Sequence, residues 1–105
     1  IIKALKLIPG HENSFIVAIA STNSMEPSID DGMYCVMDPP LRIPDLIVGD
    51  TIWFETDTFK AIHRIIELGN DSEWYARTKG DNNDYPDPVV IRSEHIKGVW
   101  RITLN

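Results

Sequence analysis

Apolar positions in this chain come in short runs separated by dense punctuation. "SFIVAIAS", residues 14–21, is rich in β-branched and small residues and predicts a buried strand. "MYCVMD", following Gly32, predicts another. "TIWFET" and "KAIHRIIEL" alternate in the manner of strands, and "SEWYART" reads as the strand that returns after a turn at "LGND". "HIKGVWRITL" predicts a last strand with Gly98 as the place for a bulge. The N-terminal "IIKALKLI" fits either a short amphipathic helix or a first strand, and Pro9-Gly10 ends it. "PPLRIPDLIVGD" holds three prolines, so it is a loop rather than a helix interior or a central strand. "KGDNNDYPDP" is a polar loop of ten residues. Short strands, turn signals roughly every 8 to 12 residues and no long helical stretch predict an all-β fold. The expected architecture is a small barrel or sandwich of short, mostly antiparallel strands, with residues 1–105 forming one domain.

Composition narrows the function classes. The chain has 16 acidic against 10 basic residues, a net charge of −6 that repels a phosphate backbone, and no Lys/Arg run offsets it. Nucleic acid is therefore not an expected partner. Cys35 is the only cysteine, which rules out an internal disulfide and a cysteine-based metal site; in "MYCVM" it reads as a small core residue. No stretch reaches the ~20 apolar residues of a membrane span. The start at Ile1 rather than Met hints that something N-terminal was removed. His11, His63 and His95 lack zinc-ligand spacing, and "DNNDYPD" lacks the sixth-position glycine and final glutamate of a calcium-binding EF-hand. No metal and no cofactor is expected.

Three places hold groups able to do chemistry. Ser24, in "NSMEPSIDDG", is either a nucleophile or a bystander in a turn where Asn23 caps and Glu26 completes a near capping box. His63 lies between apolar neighbours in a strand, as a packed core histidine or as a general base. Alternation puts it on one face with Ala61, Ile65 and Glu67, and puts Lys60, Ile62, Arg64 and Ile66 on the other. Asp81, Asp84 and Asp87 lie in the polar loop, where turn chemistry alone accounts for aspartates. A serine nucleophile needs a base, and the base needs a group to hold its tautomer. All three types are present, in the order Ser, His, Asp.

Taken together, "NSMEPSI", "VGDTIWF", "AIHRIIE" and "TKGDNNDYPDP…IKGVW" resemble the type I signal peptidases, in the archaeal and endoplasmic-reticulum branch that uses histidine as its base. The resemblance spans roughly residues 15 to 102 and rests most firmly on "SMEP" combined with "HR" and "KGDNN". It implies Ser24 as nucleophile, His63 as base, Asp87 as the carboxylate orienting His63, and Asp81 as a supporting or alternative carboxylate. It implies an oxyanion hole formed by the Thr22 hydroxyl and the Ser24 backbone N–H. The implied activity is that of a serine endopeptidase cleaving signal peptides from exported preproteins after small residues. The substrate would be an extended segment pairing with "FIVAIAS". The implied placement is membrane-associated, on the extracytoplasmic or lumenal side, through a segment this chain lacks; a soluble relative is the other possibility. The chain departs from the family in having Asp31-Gly32 where Gly-Asp is usual. Two rivals stand beside this reading. One is a self-processing or maturation protease of the repressor type, whose Ser-Lys pair would call on Lys60. The other is a non-catalytic β module.

Overall fold

The computed structural model describes residues 13–18, 25 and 33–104. Seven strands form one sheet: β1 (Phe15–Ala18), β2 (Tyr34–Asp38), β3 (Thr51–Glu55), β4 (Lys60–Asn70), β5 (Trp74–Lys79), β6 (Val90–Arg92) and β7 (Ile96–Leu104). Their spatial order is β1-β2-β7-β3-β4-β5-β6, and every pairing is antiparallel. The only helical pieces among the described residues are 3₁₀ turns at Ile43–Asp45 and Ser93–His95. The chain is thus all-β, of the small barrel or sandwich kind expected from its alternation. The possible helix or strand at "IIKALKLI" and the remainder of "FIVAIAS" lie outside the described residues.

Period-two alternation distributes apolar side chains to both faces of the sheet. On one face, Ile52 and Phe54 of β3, Ile65 of β4, Ala76 of β5 and Ile91 of β6 form a cluster with Leu46 and Ile96. On the other, Cys35 and Met37 of β2 pack with Met25 against Phe15, Val17, Trp53, Ile62 and Trp100. Phe54, Ile52, Ile65 and Ile91 are fully buried, and each such side chain contributes about 1.5–3 kcal/mol on leaving water. Register matters to the site, because a one-residue slip of β4 would carry His63 from the Phe54 face to the Trp53 face.

The β3–β4 hairpin closes on Thr56. Its hydroxyl accepts from the Phe59 amide (3.0 Å), and its backbone N–H donates to the Phe59 carbonyl (2.7 Å). This closure sets the register that places Ile52 opposite His63. β4 runs longer than its sequence suggested: "LGN" belongs to the strand, and the turn falls at Asp71-Ser72. Asn70 Oδ1 accepts from the Ser72 amide there, and Ser72 adopts φ 105°. Gly69 stays in the strand because the Tyr75 ring covers it, occupying the space a Cβ would need.

The face assignment along β4 also changes partway. Arg64 pairs with Lys79 and Ile65 with Thr78, but Glu67 pairs with Arg77, which leaves Ile66 as an extra, bulged residue. Beyond it Leu68, rather than Glu67, turns to the core shared by Ile65, and Glu67 is exposed. In β7 the pairing with β3 passes from Gly98 to Ile96, skipping Lys97, so the bulge lies immediately beside the predicted glycine. Gly98 is packed against the Phe15 ring, 2.9 Å from where a Cβ would lie, and against Met37.

Candidate active site

Adjacent residues of β4 point to opposite faces, so His63 and Arg64 enter different environments. His63 is 4% exposed and lies on the Phe54 face. The Phe54 and Phe59 rings flank the imidazole, with centroids 6.3 and 6.1 Å from its own. Lys60, three residues earlier, is exposed at the start of the strand.

The polar loop after β5 brings a carboxylate to each of these two β4 residues. Its first turn is closed by the Asn83 amide donating to the Gly80 carbonyl (3.0 Å). Its return is fixed by Pro86 and Pro88, which bracket Asp87. Pro86 holds its own φ, and Pro88 restricts Asp87 to extended backbone. In that conformation the Asp87 amide donates to the carbonyl of Thr78 (2.8 Å), tying the loop back onto β5. Asp87 is itself buried, 5% exposed, and its Oδ2 lies 2.6 Å from His63 Nδ1. The Thr78 hydroxyl, fully buried, donates to the same oxygen at 2.7 Å. A carboxylate in this position selects the neutral imidazole tautomer with its proton on Nδ1 and the lone pair on Nε2, and it stabilises the ring once protonated.

Asp81 is engaged differently. Arg64 donates Nε to its Oδ1 (2.8 Å) and Nη2 to its Oδ2 (2.7 Å), a two-pronged fork, and donates Nη1 to the Gly49 carbonyl (2.8 Å). The hydrogen bonds Arg64 donates to the Asp81 carboxylate, opposed by partial burial, raise the guanidinium pKa above its usual range. Gly49 adopts φ 104°, a conformation that favours glycine, in a turn where Asp50 Oδ2 accepts from the Ile47 amide. The backbone N–H of Asp81 points to Met25 Sδ at 3.3 Å. Met25 is 3% exposed and belongs to the Cys35–Met37 cluster.

Of the residues singled out in the sequence, His63 and Asp87 therefore meet, and Asp81 is paired with Arg64 on the opposite face of β4. Ser24 and Thr22, together with Asn23 and Glu26 of the capping alternative, lie outside the described residues. Asp84 is exposed in the loop. His95 accepts from the Arg92 amide at Nδ1 (2.9 Å), a local capping contact far from the His63 pair in its chemistry. Sequence reasoning passed over Thr78. Alternation in "WYARTK" puts Thr78 on the buried face with Ala76, and a hydroxyl there, just before the aspartate loop, is the signal that could have found it. The carbonyl of Gly49, at the end of the proline-rich loop, receives Arg64, and no local pattern in that loop signals it.

No protein-family model matches the chain. Over 81 residues it is 28% identical to Signal peptidase I W of Bacillus subtilis (strain 168), an alignment covering 75% of this chain and 43% of that protein. The chain thus spans less than half the length of this relative. The similarity supports a relationship to the type I signal peptidases.

Proposed function

We propose that the chain carries the catalytic machinery of a serine endopeptidase of the signal-peptidase type, in the branch whose base is histidine. The buried His63–Asp87 pair carries this reading: a neutral imidazole with one nitrogen held by a carboxylate is the base a serine nucleophile needs. Met25 adds to it. This residue, covalently bonded to Ser24, is buried and contacts the Asp81 backbone at the start of the loop that delivers Asp87.

In this reading Ser24 Oγ attacks the scissile carbonyl while His63 Nε2 takes its proton, and Asp87 stabilises the imidazolium. The Thr22 hydroxyl and the Ser24 amide receive the developing oxyanion. His63 then protonates the leaving amine, and the same ring activates the water that hydrolyses the acyl-enzyme. The substrate is the signal peptide of an exported preprotein, extended and with small side chains at the first and third positions before the cut. β1 stands at the end of the strand order, paired only with β2 among the described strands, which suits main-chain pairing with such a segment. Such an enzyme acts at a membrane, on its extracytoplasmic or lumenal side. No helix among the described residues is long and apolar enough to cross one.

The deciding experiment is cleavage of a preprotein, followed by N-terminal sequencing of the product. Ser24→Ala should abolish turnover and His63→Ala should lower it about 10⁴-fold or more. Lys60→Ala should leave it within about twofold, whereas a Ser-Lys peptidase would lose it. Parent-level cleavage by Ser24→Ala would end the proposal, because Ser24 would then not be the nucleophile, and a parent that cleaves nothing would leave the β-module reading.

A further inference from the structure

The His63–Asp87 pair has a third member. We infer that Thr78 is a positioning residue for the proposed base: it clamps Asp87 from two directions and so fixes the imidazole's orientation. This rests on the peptidase reading for its catalytic consequence, though not for its geometry.

Three observations converge on Thr78. Its hydroxyl donates to Asp87 Oδ2 at 2.7 Å, the oxygen that lies 2.6 Å from His63 Nδ1. Its carbonyl accepts the Asp87 backbone N–H at 2.8 Å, so a single residue holds both the main chain and the side chain of the aspartate. It is fully buried at the end of β5, opposite Ile65, which shares the core-facing side of β4 with His63. Water is therefore poorly placed to replace the hydroxyl. A carboxylate has no hydrogen to donate, so both neighbours must donate to it, and one oxygen receiving two donors is held along two directions at once. Without the hydroxyl, Asp87 can rotate about its side-chain bonds, and the imidazole would follow it. Packing gives no reason for a hydroxyl here, since valine has almost the same shape and would suit the apolar face of Ala76 and Ile65.

The test compares Thr78→Val, which keeps the shape and loses the hydroxyl, with Thr78→Ser, which keeps the hydroxyl and loses the methyl. On preprotein cleavage, Thr78→Val should lower kcat about tenfold with KM within about twofold of the parent. Thr78→Ser should recover activity to within about threefold of the parent. In ¹⁵N-histidine-labelled protein, the His63 Nδ1 proton should give a far-downfield resonance that shifts or broadens in Thr78→Val and returns in Thr78→Ser. Equal losses in both variants, or no change in kcat for Thr78→Val, would overturn the inference and reduce Thr78 to packing. If the parent cleaves nothing, the peptidase reading fails, but the His63 proton resonance still decides whether Thr78 positions the pair. An unmoved resonance in Thr78→Val overturns it on that ground alone. Should Thr78→Val not fold, Thr78→Ala provides the hydroxyl-free variant for both readouts.

Discussion

Asp81 and Asp87 leave the same loop six residues apart and meet neighbouring residues of β4, yet they enter opposite environments. His63 and Asp87 have side chains 5% and 4% exposed, flanked by aromatic rings and joined by a buried hydroxyl. Arg64 and Asp81 are 34% and 23% exposed, and Arg64 also reaches out to the Gly49 carbonyl. The difference between the two pairs is chemical as much as positional. Arginine stays charged at any physiological pH, so its pair is a permanent strut. An imidazole has two nitrogens that can hold or release a proton, so a carboxylate that fixes one leaves the other available for proton transfer. Burial strengthens that preparation by keeping water from competing for the carboxylate. Two acid–base pairs one residue apart thus divide the work: one holds the loop, and the other can do chemistry.

The largest test of this division is Asp87→Asn. The amide can donate as well as accept, so it can favour the wrong imidazole tautomer and cannot stabilise an imidazolium. Under the peptidase reading, kcat for preprotein cleavage should fall about 10³–10⁴-fold, while far-ultraviolet circular dichroism stays at the parent's. A loss below about tenfold would mean that Asp87 is structural and that both β4 pairs serve only to hold the loop.

Asp81→Asn should do the reverse. Breaking the fork should lower unfolding stability by about 1 kcal/mol, a modest figure because the partly exposed pair is screened by solvent. Urea denaturation would read this as a lower midpoint at unchanged slope. Added salt should shrink the difference between parent and variant. The Asp81 backbone N–H, and with it the contact to Met25, survives the substitution. Activity should therefore stay within about tenfold of the parent. A larger loss, with stability unchanged, would move Asp81 from strut to catalytic partner.

How far these pairs could be read from the sequence follows from what each depends on. The all-β class was legible because alternation in "TIWFE" and "KAIHRII" is a local property, and local alternation decided which face His63 occupies. The switch from Glu67 to Leu68 as the inward residue was not legible, because the Ile66 bulge arises from pairing with β5 rather than from β4's own composition. "LGND" read as a turn because glycine commonly breaks strands; only the Tyr75 ring, brought across by β5, shows why Gly69 remains in one. The Ser-His-Asp set was legible from residue types, but the preference for Asp87 over Asp81 came from family resemblance, since spacing alone gave both aspartates equal standing. What separates them is the carbonyl of Thr78, which captures the Asp87 backbone, and the Arg64 fork, which occupies Asp81. The two contacts bridge 9 and 17 residues of chain, and no strand alternation or turn signal encodes either.

A third carboxylate–cation pair extends the comparison to the surface and gives the smallest expected effect. At the tip of the β4–β5 hairpin, Arg92 Nη1 donates to Asp71 Oδ1 (2.7 Å) and Nη2 to Oδ2 (3.1 Å), with the guanidinium 5.9 Å from the Tyr75 ring centroid. The hydrogen bond from Arg92 holds the Asp71 carboxyl below its ordinary value of 3.8, with slight desolvation opposing it. A carboxylate whose folded pKa is depressed contributes stability that is fully present above its unfolded pKa. That contribution is lost as pH falls through the folded value. Asp71→Asn cannot titrate and leaves Arg92 over Tyr75, so the variant isolates this contribution. Urea midpoints for parent and variant should differ by a small, constant amount between pH 5 and 8. The difference should close as pH drops through 3.8 and below. A gap that stayed constant down to pH 2 would show that the stability difference does not come from the ionised Asp71 carboxylate, and that the fork to Arg92, whose acid is 54% exposed against 23% for Asp81, carries no charge-dependent weight.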